Sequence, residues 1–135
     1  MRIVLLIVLL GCMSEAAWAC KSDTIQNWQM YHGKQLILRG NIVQSSEMLV
    51  PEFQLTREPL RLFYNYDTGS PRQQHVEVRE GDKRILVVNF DKNPAVLNLY
   101  NALQHLCARK FHLSVYYWVG SDTEKQWLGD FTVIE

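Results

Sequence analysis

Residues 111–119 read Phe111-His112-Leu113-Ser114-Val115-Tyr116-Tyr117-Trp118-Val119. Phe111, Leu113, Val115, Tyr117 and Val119 fall on one side of a two-residue repeat, and His112, Ser114, Tyr116 and Trp118 on the other. A half-buried strand requires this alternation, because successive side chains point to opposite faces of a sheet. Residues 120–124 form a polar turn, and 126–134 return as a second strand on which Trp127, Phe131 and Val133 are expected to share a side. The chain therefore closes on a β-hairpin.

Just upstream the period changes. Asn93 suits a helix N-cap and Pro94 a first helical position. Val96, Leu99, Tyr100, Leu103, Leu106 and Cys107 then recur at three-and-four spacing, with Arg109 and Lys110 at the negative end. This spacing predicts one amphipathic helix. Earlier still, His75–Arg79 and Arg84–Phe90 flank Glu80-Gly81-Asp82 as a hairpin, whose second arm is apolar on both sides and reads as a central strand. Leu60, Leu62, Tyr64 and Tyr66 alternate with Arg61, Phe63 and Asn65 in another strand. Leu36, Leu38 and Ile42 alternate with Gln35, Arg39 and Asn41, and Gly40 lies on their apolar side, where a missing side chain lets a strand coil sharply or another backbone approach. Residues 44–59 keep no period and read as a long connection with at most a short edge strand, and 21–29 as a polar lead-in. The expected class is mainly β, a β-barrel with one α-helix before the final hairpin.

The first residues are an address. Arg2 precedes the apolar run Ile3–Leu10, too short for a helix to cross hydrocarbon about 30 Å thick but sized for a secretory signal. Ala17-Trp18-Ala19 is a small-x-small cleavage motif. The expected organisation is a signal peptide over 1–19 and a single domain over 20–135, periplasmic or secreted. Leu9-Leu10-Gly11-Cys12 resembles a bacterial lipobox, so a lipid anchor at Cys12, or at Cys20 behind a poorer box, is the alternative.

With Cys12 removed or acylated, Cys20 and Cys107 remain as an even pair in an oxidising compartment. A disulfide between them would close nearly the whole mature chain, for about 4–5 kcal/mol at most in the chain-entropy picture. The competing reading is a lipidated Cys20 with a free Cys107. Two distant cysteines do not make a zinc site. The 14 Lys and Arg against 14 Asp and Glu leave no net charge, which argues against nucleic acid held by bulk charge. An apolar fraction of 47% argues against disorder.

Gly33-Lys34-Gln35-Leu36-Ile37-Leu38-Arg39-Gly40-Asn41-Ile42-Val43 resembles the first strand of secreted bacterial OB-fold domains. The resemblance implies an OB-like Greek-key barrel with the helix plugging one end. The layout is also similar to the pentameric B subunits of bacterial toxins, which implies a disulfide from the N-terminal region towards the end of the helix, roughly where Cys20 and Cys107 fall.

No catalytic signature accompanies this scaffold. His32, His75, His105 and His112 lie in different elements, and no nucleophile elbow, His-Glu-x-x-His, phosphate loop or EF-hand occurs. The expectation is a non-enzymatic protein without a cofactor. Trp28, Met30 and His32 alternate, and thioether with imidazole suits Cu(I), so Met30 and His32 are weak metal candidates against a packing role for Trp28 and Met30. The expected working surface is the outward set Arg61, Phe63, His75, Arg79, Tyr116 and Trp118, aromatic and Arg side chains of the kind that dominate interfaces. The ligand expected there is a protein partner, of inhibitor, immunity or envelope-assembly type. A glycan or an oligonucleotide is the alternative.

Overall fold

The computed structural model describes residues 25–43, 45–66, 73–121 and 124–135; the signal segment, Cys12 and Cys20 lie outside them. The chain is mainly β, as expected, and its ladders form two five-stranded sheets. The first has the order β3 (Ser45–Met48), β2 (Gln35–Asn41), β1 (Ile25–His32), β5 (Leu60–Tyr66), β8 (Ala95–Leu97). The second runs β4 (Phe53–Gln54), β10 (Gln126–Ile134), β9 (Lys110–Val119), β6 (Gln74–Glu80), β7 (Lys83–Phe90). Neighbours are antiparallel except β4, which lies parallel to β10. The helix α1 (Leu99–Leu103) precedes the β9–β10 hairpin and buries Leu99 and Leu103.

The core fills the space between the sheets. Met30, Ile37, Leu38, Leu60 and Leu62 from one side meet Val76, Val78, Leu113, Val115, Tyr117 and Phe131 from the other, all at or near zero exposure. Each large apolar side chain buried this way contributes about 1.5–3 kcal/mol, more than a surface ion pair of about 0–1 kcal/mol. Core packing therefore sets the fold.

The sheets are tied along one seam. Gln126 behaves as an extra strand residue for β1: its side-chain amide donates to the Ile25 carbonyl at 2.8 Å and its Oε1 accepts from the Ile25 N–H at 2.9 Å. Beside it, the Trp28 Nε1–H donates to the Leu128 carbonyl at 2.6 Å. Gly129 follows with φ +152, where a Cβ would collide with Ser46 Oγ of the facing sheet. At Gly40 the group that takes the place of the missing side chain is the Trp28 indole, a side chain and not the backbone expected there.

Several sequence expectations need correcting. The predicted helix shrinks to α1, because Ala95 and Leu97 bury alternately as β8 and pair with Leu62 and Leu60; no Asn side chain caps α1. The segment read as a polar lead-in, 21–29, holds the first five residues of β1, of which Ile25 and Trp28 are core. The long connection holds β3 and β4. The strand read as central, β7, is a sheet edge, and none of its residues is fully buried. Ile42 is 57% exposed in a turn beyond β2. Trp127 does not share a side with Phe131 and Val133, since a bulge at Leu128 reverses the faces between them.

Candidate functional site

On the face of the second sheet turned away from the core, β6 presents His75, Glu77 and Arg79, the alternates of buried Val76 and Val78. Across the ladder, Trp118 stands opposite His75 and Tyr116 opposite Glu77. On the other flank Asn89 is opposite His75, and Arg84 opposite Arg79. Four of the six residues expected to form a surface, His75, Arg79, Tyr116 and Trp118, are thus brought together by the β6–β9 register.

The centre of the group is Glu77, whose side chain has no exposed surface. Its Oε2 accepts from Lys125 Nζ at 2.6 Å and its Oε1 from Arg84 Nε at 2.7 Å. Arg79 Nε lies 2.8 Å from the same Oε1 but off the hydrogen-bond line, so that contact is charge on charge. Burial alone would push this carboxyl up; the donors Lys125 and Arg84, with the charge of Arg79, outweigh it and hold the group at about 2 against an ordinary 4.5.

The cations rest on the aromatics. Lys125 Nζ lies 4.3 Å from the Trp118 ring centroid, and the Arg79 guanidinium 5.7 Å from that of Tyr116. Both are within cation–π range. The His75 ring stacks on Trp118 with centroids 5.0 Å apart and planes 24° apart, and its Nδ1 shares a hydrogen bond with Asn89 Oδ1. At the margin, Asp130 accepts from Ser114 Oγ and from the half-exposed Trp127. Each side chain of the group is therefore held by a neighbour within the group.

Glu77, Arg84 and Lys125 were missed by the sequence reading. Glu77 could have been found, because it is the alternate between His75 and Arg79. Lys125 could not, since nothing in the polar turn marks it.

Arg61 and Phe63 do not join this group. They project from β5 on the outer face of the first sheet, where the Phe63 ring meets Tyr31 edge-to-face at 5.6 Å and 87°. Met30, weighed as a metal ligand, has no exposed surface and stands between Leu38 and Leu62 in the ladder. His32 shares a hydrogen bond of 2.9 Å with Thr56 Oγ1 and packs its ring on Phe53 at 4.9 Å. Among the described residues, no group of three or more His, Cys, Asp or Glu is placed to hold a metal ion. Cys107 is exposed, and its expected partner Cys20 lies outside the described residues. No described helix is long and apolar enough to cross a membrane.

Comparison with protein-family models, with curated proteins and with solved structures finds no match for this chain.

Proposed function

We propose that this is an exported, non-catalytic binding protein that engages a protein partner through the outer face of β6 and β9. One observation carries the reading: a fully buried carboxylate, Glu77, spends its hydrogen bonds on fixing Arg84 and Lys125 beside Arg79, and two of these cations lie against aromatic rings. Burying a charge is costly unless it is paired, and here the pairing pre-orders Arg, Tyr and Trp side chains, the types that carry most interface energy. Ordering them in advance lowers the entropy cost of association. One carboxylate facing three cations favours an acidic stretch of the partner.

The export reading rests on the signal-like segment 1–19, and the barrel reading, an OB-like closure, on the approach of the two sheets along the Trp28–Leu128 seam. A Cys20–Cys107 disulfide is part of the same proposal. Non-reducing mass analysis should give residues 20–135 less two hydrogens, with no acyl addition.

The test is a photo-crosslinking amino acid at Trp118, compared with one at Ile42, in the native cell envelope. A discrete adduct with one protein from position 118 alone is expected, and Trp118→Ala and Arg79→Gln should each weaken the purified pair at least tenfold. A partner that binds Trp118→Ala as tightly as wild type overturns the assignment.

A further inference from the structure

The opposite side of the molecule has a second, chemically different site. The outer face of the first sheet contains an open hollow of about 850 Å³ lined by Asn27, Gln29, Arg39, Asn41, Phe63 and Asn65, among others. It adjoins a second hollow of about 500 Å³ in which Gln29 and Phe63 are joined by Tyr31, Lys34 and Arg61. The ladder explains the arrangement. Asn27 is opposite Asn41 on one side and Asn65 on the other, making a row of three amides across three strands. The next outward row is Arg39, Gln29 and Phe63, and the next contains Tyr31 and Arg61. Outward residues follow each other at about 6.6 Å along a strand, so the rows form one trough.

The chemistry changes along it. At the amide end, Asn27 and Asn65 make no side-chain hydrogen bond among the described residues, and each offers both a donor and an acceptor. Gln29 Oε1 accepts from the Tyr31 hydroxyl, which leaves its NH₂ donors to the trough. Arg39 is neutralised by Glu47 at 3.1 Å, so that stretch carries no free charge. In the middle, Phe63 is 40% exposed; Tyr31 meets it edge-on, and aromatic faces receive C–H groups well. At the far end, Lys34 and Arg61 have no ion pair among the described residues.

The geometry points to a binding trough for a short oligosaccharide carrying a carboxylate, with hydroxyls on the Asn27–Asn65 amides, a sugar ring against Phe63 and the carboxylate at Arg61 and Lys34. Amides that both donate and accept match vicinal hydroxyls, each of which does the same. An apolar ligand would leave the amides unpaired, which is costly. A polyanion such as a nucleic acid strand would meet positive charge at only one end. Arg61 suits a carboxylate because its guanidinium forms a fork of parallel donors. This site is separate from the β6–β9 face, and neither reading depends on the other.

The experiment is calorimetric titration of the purified protein with trigalacturonate, with its neutral counterpart galactotriose, and with triglutamate as a carboxylated non-sugar, backed by an array of carboxylated and neutral oligosaccharides. A carboxylated oligosaccharide from this set should bind, with its neutral counterpart at least tenfold weaker and triglutamate weaker still. Phe63→Ala and Asn27→Ala should each reduce binding tenfold or more. Arg61→Gln should bring the acidic sugar down to the level of the neutral one, while Trp118→Ala leaves all of it unchanged. Asn27, Arg61 and Phe63 are exposed, and unaltered circular dichroism and melting would confirm the variants folded. No binding by any carboxylated sugar, triglutamate binding as well as the sugar, or Phe63→Ala and Arg61→Gln without effect would overturn the proposal.

Discussion

The Trp28 indole N–H reaches across the core to the carbonyl of Leu128, 2.6 Å away, so one side chain of the first sheet completes the backbone of the second. Leu128 is the extra residue of the β10 bulge, and bulges leave polar groups off the regular ladder. Trp28→Phe keeps most of the ring and removes the donor, leaving a buried carbonyl unsatisfied. The expected cost is about 1–3 kcal/mol, read as a lowered urea midpoint with an unchanged slope. A midpoint equal to wild type would mean that the bond contributes nothing net.

Gly40 lies under the same indole, and a Cβ there would stand 2.5 Å from Trp28 Cζ2. A tightly packed ring cannot give way without moving the seam, so Gly40→Ala should cost about 1–3 kcal/mol by overpacking. The cost should shrink when the ring is gone. A double-mutant cycle with Trp28→Leu is therefore expected to show coupling above about 0.5 kcal/mol; additive effects would place the strain elsewhere.

These contacts also show where the sequence was legible and where it stopped. The alternation of Phe111 to Tyr117 and of Leu60 to Asn65 was readable because one sheet face is dry and the other wet, so residue type reports the side. The 93–110 segment misled because Val96 keeps helical spacing with Leu99 and Leu103 but belongs to another geometry: on β8 it points outward, 43% exposed, while its neighbour Leu97 faces the core, and only Leu99 and Leu103 are buried from α1. Three-and-four spacing does not distinguish a short strand followed by one helical turn from a longer helix. β1 was obscured by its outward Asn27 and Gln29, which are exposed and break the apolar run. At the site, β6 and β9 could be recognised singly, but their register could not. Register is a relation between strands distant in the chain, and it decided that Trp118 meets His75 while Phe63 meets Tyr31.

His32 gives a pH signature near neutrality. Burial lowers its proton affinity from the ordinary 6.5, and Glu58 only partly opposes this. The folded state thus prefers the neutral ring, and the unfolded chain takes up more protons as the pH falls below 6.5. The stability from this group is full above 6.5 and is lost on acidification through the folded-state value. Wild type should therefore weaken between pH 7.5 and 5.5 by a component that His32→Gln lacks, and Glu58→Gln should deepen it. Denaturation midpoints across that range decide the matter; identical profiles for wild type and His32→Gln would rule the mechanism out.

Glu77 gives the opposite kind of signature at lower pH. Its carboxyl is held at about 2 in the folded protein against an ordinary 4.5, so the folded state prefers the charged form. The stability this supplies is fully present above 4.5 and is lost as the pH falls towards 2. Glu77→Gln preserves the shape but leaves Arg79, Arg84 and Lys125 facing each other without a counter-charge. Removing one partner of a fully buried pair costs about 3–5 kcal/mol; here the Arg84 side chain is 58% exposed, and solvent screens its share. At pH 7 the variant should be less stable than wild type by about 1–3 kcal/mol. The gap should hold from pH 7 to 5 and then close between 4.5 and 2, because protonation converts the wild-type carboxyl into a group as neutral as the amide. Urea titrations at pH 7, 4 and 2.5 measure it directly. A gap that stays constant down to pH 2.5 would show that Glu77 acts through shape and not through charge.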